Sequence, residues 1–220
     1  MGLKSLFIIS AFLMQCSVRQ PAKDKVIKYL ALGDSYTCCE GAKPEEAWPL
    51  MIANRLKEKG INIEVTNPAR TGWTTQNLID RELPLVEEIK PDVVTLLIGV
   101  NDWVQGVDST IFHKNLNYII DRVEENLAVK KNLVLITIPD FGVTPTGAMY
   151  SHGRDISKGI DEFNSIIKKE ANNRGLACVD IYPETQKMKD DASLIAADGL
   201  HPSAKEYAIW EKMISPEVER

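Results

Sequence analysis

The sequence lacks the features that mark several large classes of protein. Its 220 residues carry a formal net charge of −5, so it has no basic excess with which to bind the phosphates of a nucleic acid. The four cysteines, at positions 16, 38, 39 and 178, show none of the C-x-x-C spacings that are typical of zinc sites. Internal repeats and low-complexity segments are also absent. With 44% apolar and 26% charged residues, the composition is that of a globular protein.

The sequence also has no apolar run long enough to cross a bilayer comfortably. The longest run covers residues 6–14, follows Lys4 and ends at Gln15-Cys16. A basic start and a short apolar run are typical of a secretory signal. A cysteine directly after the run resembles the lipobox of bacterial lipoproteins, although Gln15 replaces the usual small residue. We therefore expect residues 1–24 to be a signal segment and linker.

Lipidation of Cys16 would tether the protein to the membrane of the cell envelope without spanning it. Simple cleavage and release, to the periplasm or outside the cell, is the alternative, and an uncleaved anchor is a third. Residues 25–220 are then the folded domain.

In this domain, short apolar runs alternate with amphipathic segments. The runs predict strands at residues 28–32, 61–66, 92–98, 132–138 and 176–181. Helices are predicted from residue 48 to about 60, over 75–87 with an interruption at Pro84, over 109–126 and 156–174, and from Pro202 onward. Strands that alternate with helices form a parallel sheet with helices on both faces. The predicted class is α/β: a three-layer α/β/α sandwich, flavodoxin-like, with a five-stranded parallel sheet.

Turn residues and polar residues stand where the predicted strands end. Residues 33–35 (Gly-Asp-Ser) follow the first strand, 71–73 follow the second, and 99–102 (Gly-Val-Asn-Asp) follow the third. Residues 198–201 (Asp-Gly-Leu-His) precede the last helix. Because parallel strands point the same way, their carboxyl ends meet at one edge, where open α/β sheets bind ligands. We therefore expect these four segments to converge.

Together the four segments contain the groups that a serine nucleophile needs. A serine hydroxyl reacts only when a neighbouring imidazole takes its proton. A carboxylate on the other imidazole nitrogen holds the correct tautomer, and Asp198 and His201 are close enough in sequence to pair in this way. Fixed N–H donors stabilise the oxyanion that forms. Glycine at 72 lets the backbone approach a substrate closely, and the Asn101 amide donates without adding charge.

Each segment taken singly has a structural explanation as well, because turns and helix N-caps favour serine, aspartate, asparagine and glycine. We expect Asp34 to brace its loop through hydrogen bonds to the backbone. The chain has three histidines, so His113 and His152 are alternatives to His201 as the base. His113 falls on the solvated face of a predicted helix. His152 lies in a long loop over residues 140–155, and no carboxylate stands at the matching spacing from it.

In order and in combination, the segments resemble the SGNH/GDSL hydrolase superfamily of serine esterases and lipases. Its marks are a Ser in G-D-S, a Gly after the second strand, an Asn in G-x-N-D and a His in D-x-x-H. They correspond here to Ser35, Gly72, Asn101 and His201. The resemblance implies that Ser35 is the nucleophile, His201 the base and Asp198 its orienting carboxylate. It also implies an oxyanion hole formed by the backbone N–H groups of Ser35 and Gly72 and the side chain of Asn101, with no metal and no cofactor.

The reaction that we expect is hydrolysis of a short-chain acyl or acetyl ester through a Ser-His-Asp triad and an acyl-enzyme intermediate. The family cleaves acyl esters of lipids, thioesters and acetylated sugars. The expected partner is thus a small-molecule, lipid or acetylated-sugar ester, and the sequence leaves the oligomeric state open. Candidate substrate-binding aromatics are Tyr36, Trp73, Trp103 and Phe141, with core packing as the alternative for each.

Two other functions fit parts of the sequence. A non-catalytic envelope binding protein could retain the fold, but it would be expected to have lost part of the triad, which is complete here. A phosphate or nucleotide binder would need a glycine-rich cradle before a helix. Residues 33–35 are followed instead by Tyr-Thr-Cys-Cys. Ester hydrolysis is therefore the leading prediction.

Overall fold

A computed structural model describes residues 25–220, so the predicted leader and Cys16 lie outside the described residues. Within this range five strands form a parallel sheet in the order β2-β1-β3-β4-β5. None of the helices in this range has the length and apolar character that a membrane crossing requires. The strands are β1 (Ile27–Gly33), β2 (Ile63–Thr66), β3 (Val93–Leu97), β4 (Leu133–Ile136) and β5 (Ala177–Val179).

Helices connect the strands and cover both faces of the sheet. Helices α2 and α9 pack against each other, and α3, α4, α6 and α7 form a second contiguous set. The predicted three-layer α/β/α fold is therefore confirmed, and the strand order is the one typical of flavodoxin-like domains. The helices are α1 (Ser35–Cys38), α2 (Trp48–Glu58), α3 (Thr75–Arg81), α4 (Leu83–Ile89), α5 (Val100–Val104), α6 (Ser109–Asn126), α7 (Ile156–Arg174), α8 (Tyr182–Thr185) and α9 (Ala204–Val218).

The core is centred on β1 and β3, the neighbouring strands whose carboxyl ends carry two of the four segments. Every residue of β3 is buried, as are Leu30 and Leu32 of β1. Residues Tyr29 to Gly33 pair in register with Val93 to Leu97. Strands that are buried on both faces are continuous apolar runs, which is why they were recognisable in the sequence. The residues that follow them consequently stand on a rigid base.

Two prolines occupy positions relative to the helices that differ from those predicted. The helix expected over 75–87 is two helices, and the break falls at Glu82 rather than at Pro84. Pro84 lies in the first turn of α4, where its missing N–H costs nothing. Pro202 does not open the last helix. It forms an isolated bridge with Ile195, and Ser203 is the N-cap of α9, with its hydroxyl accepting from the Glu206 N–H.

Candidate active site

Ser35 lies at the carboxyl edge of the sheet, where β1 turns into the one-turn helix α1. Asp34 is the N-cap of this helix, and its side chain accepts a hydrogen bond from the Tyr36 N–H at 3.0 Å. This is the bracing role expected for Asp34. Ser35 is 5% exposed. Its hydroxyl is thus carried on a short, capped turn that is anchored directly to the central strand.

Three buried carboxyl groups surround this turn. The pKa of Asp34 is raised to about 8, mainly by burial and to a smaller extent by the charge of nearby Asp102. Burial likewise raises the pKa of Glu82 well above its usual value, with a smaller contribution from Asp34. Glu82 accepts a hydrogen bond from the Gly33 N–H at 3.0 Å, and Asp102 accepts from the Thr75 N–H at 2.8 Å. Glu82 therefore ties the nucleophile segment to the α3–α4 junction, and Asp102 ties α5 to the start of α3.

Glu82 is not among the site residues predicted from the sequence, although the chain contains a signal for its burial. Glu82 stands four residues after Leu78 and four before Val86, and both of these are buried. Positions four apart share one face of a helix, so Glu82 lies on the buried face. A carboxyl group at such a position needs a specific partner, and the Gly33 N–H is that partner.

His201 and Asp198 form the pair that the D-x-x-H spacing predicts. The distance between His201 Nδ1 and Asp198 Oδ2 is 2.6 Å, and Asp198 Oδ1 also accepts from the backbone N–H groups of Leu200 and His201. Partial burial would raise the pKa of Asp198, but these hydrogen bonds outweigh it and lower the pKa below its usual value. With the proton on Nδ1 donated to Asp198, Nε2 of His201 is left as an acceptor.

Ser35 and His201 line the same small cleft, of about 80 Å³. Asn101, at the start of α5, lines it as well, so residues from three of the four segments meet here. The edge of the Tyr36 ring packs against the His201 ring, with 5.8 Å between the ring centroids. The remaining wall is largely apolar and consists of Tyr36, Val100, Val104, Phe141, Tyr150 and Leu200.

The fourth segment adjoins the cleft through Asn101. Asn101 Nδ2 donates to the Trp73 carbonyl at 2.9 Å, which fixes the amide beside residues 71–73 and leaves its second N–H for another acceptor. Gly72 is exposed in a turn with a φ of +83°, and a side chain there would meet no atom within 4 Å. Gly72 is adjacent to this contact but is not itself among the residues that line the cleft.

The four candidate aromatic residues have different environments. Tyr36 and Phe141 line the cleft, whereas Trp73 is half-buried and contributes its carbonyl to Asn101. Trp103 does not line the cleft. Its buried ring packs against Phe141, with 5.8 Å between the ring centroids, and lies under the Arg154 guanidinium. It therefore supports the wall of the cleft from behind.

The two rival histidines lie away from Ser35. His113, on α6, pairs with Glu170 of α7 through a 2.8 Å contact between Nε2 and Oε1. His152 is exposed and lines a different cleft. Among the three histidines, His201 is the one that shares a cleft with Ser35.

Several known proteins with similar sequences or structures are named esterases. An arylesterase from Vibrio mimicus is 28% identical over 192 residues, which is 87% of this chain and 88% of that protein. An acetylxylan esterase from Geobacillus stearothermophilus is 27% identical over 209 residues, which is 87% of this chain and 93% of that protein. The crystal structure of an acetyl xylan esterase, AlAXEase, superposes with a TM-score of 0.72 at 22% identity and covers 87% of this chain and 100% of its own.

The sequence profile of the GDSL-like lipase/acylhydrolase family matches residues 31–209, which include Ser35, Asn101 and His201. The match extends from the middle of β1 into α9 and includes all of the other four strands. It agrees with the resemblance drawn from the four short segments, and with the ester-hydrolysing relatives. The chain therefore belongs to the GDSL-like lipase/acylhydrolase family.

Proposed function

We propose that this protein is a serine esterase that hydrolyses short-chain acyl or acetyl esters with Ser35, His201 and Asp198. The observation that carries the proposal is the common cleft of Ser35 and His201, with the His201 ring held by Asp198 at 2.6 Å. The family match and the esterase relatives support ester hydrolysis as the reaction class.

In the proposed acylation step, Ser35 Oγ attacks the carbonyl carbon of the ester while His201 Nε2 takes the hydroxyl proton. The carbonyl oxygen becomes an oxyanion, which accepts from the N–H groups of Ser35, Gly72 and Asn101. The bond between the carbonyl carbon and the alcohol oxygen then breaks. His201 returns its proton to that oxygen, so the alcohol leaves and the acyl group stays on Ser35.

Deacylation follows the same steps with water as the nucleophile. His201 Nε2 takes a proton from the water molecule as its oxygen attacks the acyl carbon, and the same N–H donors receive the oxyanion. The bond between the acyl carbon and Ser35 Oγ then breaks, and Ser35 Oγ takes the proton from His201. This step releases a carboxylic acid and restores the serine hydroxyl. Asp198 remains ionised throughout, in keeping with its lowered pKa, and stabilises the imidazolium.

The size of the cleft supports a short acyl group. Its volume is about 80 Å³, whereas the cleft lined by Val104 and His152 has a volume of about 570 Å³. Val100, Val104, Phe141 and Leu200 give the small cleft apolar walls. An acetyl group matches this space and lining, and a long alkyl chain would have to lie outside it. The names of two relatives, an arylesterase and an acetylxylan esterase, are compatible with such a substrate.

The test is hydrolysis of p-nitrophenyl esters, from acetate to dodecanoate, by the purified protein and two serine variants. Ser35→Ala should lower kcat by roughly a thousandfold or more. Ser109→Ala, at an exposed serine outside the cleft, should keep the wild-type rate. We expect kcat/KM to fall as the acyl chain lengthens, because the cleft is small.

Equal activity of the wild type and Ser35→Ala would contradict the assignment of the nucleophile. A rate that rises with chain length would contradict the short-acyl specificity. A wild-type protein that binds the esters tightly and hydrolyses none of them would favour the binding-protein alternative.

We also propose that the protein acts in the cell envelope and is attached there through a lipid on Cys16, as the lipobox-like pattern suggests. The test is fractionation of bacterial cells that express the full chain. Wild type and Cys178→Ser should sediment with membranes and dissolve only in detergent, whereas Cys16→Ser should be recovered in soluble fractions. Identical distribution of the three proteins would contradict the anchor.

A further inference from the structure

A second, larger cleft adjoins the one that contains Ser35. The two clefts share Val104, and Tyr150, which lines the small cleft, is two residues before His152 in the large one. Val104 is thus the residue at which the small cleft and the larger space meet. That space is about 570 Å³ and is lined by Val104, Gln105, Gly106, His152 and Arg154.

The floor of the second cleft is fixed by Arg154. Its guanidinium donates from Nη1 to the Trp103 carbonyl at 2.7 Å and from Nη2 to the Val104 carbonyl at 3.0 Å. It also stacks on the Trp103 ring, 3.9 Å from the ring centroid. These carbonyls belong to the carboxyl end of α5, where a cation is favoured. Arg154 thus holds the 140–155 loop against the helix that carries Asn101.

The side chains at the rim are available to a ligand. Within residues 25–220, the side chains of Gln105 and His152 have no hydrogen-bond partner, and both residues are exposed. His152 has a φ of +48°, in the left-handed region that residues other than glycine rarely adopt. Such conformations are concentrated at binding sites and active sites, where the surrounding structure maintains them.

We infer that the second cleft is a subsite for the alcohol half of the ester, and that this half bears several hydroxyl groups, as a sugar does. The inference rests on the proposed function, which places the acyl half in the small cleft. An amide, an imidazole and the unused N–H groups of a guanidinium are suitable partners for hydroxyl groups. The half-exposed ring of Tyr150, which lines the small cleft, offers a flat surface to the C–H face of a sugar ring.

A long alkyl chain suits this cleft poorly. It would cover the polar groups of Gln105, His152 and Arg154 without replacing their hydrogen bonds to water, which is unfavourable. The lining therefore favours a polar alcohol over a fatty alcohol of similar length.

The test compares three acetyl esters that differ only in the alcohol: ethyl acetate, octyl acetate and a mono-acetylated disaccharide. For the wild type we expect kcat/KM to be at least tenfold higher with the disaccharide acetate than with octyl acetate. Gln105→Ala and His152→Asn should each reduce kcat/KM for the disaccharide acetate five- to tenfold more than for ethyl acetate, mainly through KM. Asparagine is used at 152 because it tolerates the left-handed backbone.

The control is Asn173→Ala, which removes an exposed amide near the end of α7 and should change no ratio. The subsite inference is overturned if the wild type hydrolyses ethyl acetate with Ser35 but prefers octyl acetate. It is also overturned if Gln105→Ala and His152→Asn act equally on all three esters. If the wild type hydrolyses none of them, or if Ser35→Ala retains full activity, the proposed function fails and the subsite inference fails with it.

Discussion

The two sides of the proposed catalytic machinery are built in different ways. The nucleophile side, Gly33–Cys38 with Glu82, continues a central strand and is almost entirely buried. The base side, Asp198–His201, lies in a loop before the last helix, and the Asp198 side chain is 41% exposed. Its geometry comes from one carboxylate that accepts three hydrogen bonds from residues within three positions of it.

This difference implies that the two sides depend on different parts of the fold. The position of Ser35 is determined by the core, so changes around it should affect the free energy of unfolding. The position of His201 is determined mainly by a local turn on the surface, so changes there should affect the reaction with little effect on unfolding. Four predictions test this separation.

The largest effect is expected from Asp198→Asn on the base side. Asparagine can still accept from the backbone N–H groups, but its amide N–H no longer favours the proton on Nδ1 of His201. We expect kcat/KM to fall by about a thousandfold to ten-thousandfold. The free energy of unfolding should change by less than about 1 kcal/mol, because the pair is partly exposed. Ester kinetics and urea denaturation measure the two quantities, and a large loss of stability would contradict the separation.

On the nucleophile side, Glu82→Ala should act mainly on stability. It leaves the buried Gly33 N–H without an acceptor and opens a cavity, which costs about 2–4 kcal/mol. Glu82→Gln should cost less, because the glutamine keeps an acceptor and burial already favours the uncharged form of Glu82. Urea denaturation measures the free energy of unfolding of both variants, and Glu58→Ala, at an exposed position, is the control. Equal losses in the Ala and Gln variants would argue against the Gly33 contact.

Gly41, three residues after the nucleophile side, lies against the base side. It has a φ of +88°, and a Cβ there would stand 2.5 Å from Ala196 Cβ and 3.3 Å from His201 Cβ. Gly41→Ala should cost about 1–2 kcal/mol through its backbone and should also displace the His201 loop, which lowers kcat at least tenfold.

Gly60→Ala is the matched control for this variant. Gly60 has a φ of +83°, yet a Cβ there would meet nothing within 4 Å. It should show a similar loss of stability with normal kcat. If the two variants have the same kcat, contact between the two sides does not position His201.

The comparison also explains what the sequence alone could predict. The segments at 33–35, 99–102 and 198–201 carry local signals, and the parallel sheet implied by the strand pattern brings them to one edge. Glu82 was missed because its partner, Gly33, is 49 positions away and no local pattern connects them. The burial of Trp103 depends likewise on Phe141 and Arg154, and the helix start predicted at Pro202 was wrong because a bridge to Ile195 occupies that residue.

The last prediction concerns pH, and the two sides should show opposite signs. Burial raises the pKa of Asp34 to about 8 from 3.8, so its protonation favours the folded state. That contribution is complete below about pH 4 and is lost as the pH rises through about 8. The pKa of Asp198 is lowered, so its contribution is present above its unfolded pKa and is lost as the pH falls through the folded one.

Urea denaturation at a series of pH values distinguishes these two contributions. Asp34→Asn keeps the N-cap acceptor but cannot ionise, so it should remove a decline in stability on the order of 1 kcal/mol per pH unit between about pH 5 and pH 8. Asp198→Asn should leave that decline intact and flatten only the acid side of the curve. If Asp34→Asn declined with pH as steeply as the wild type, Asp34 would already be ionised in the folded protein. The nucleophile side would then hold a buried charge rather than a neutral acid, and Glu82 would be the group that retains the proton beside it.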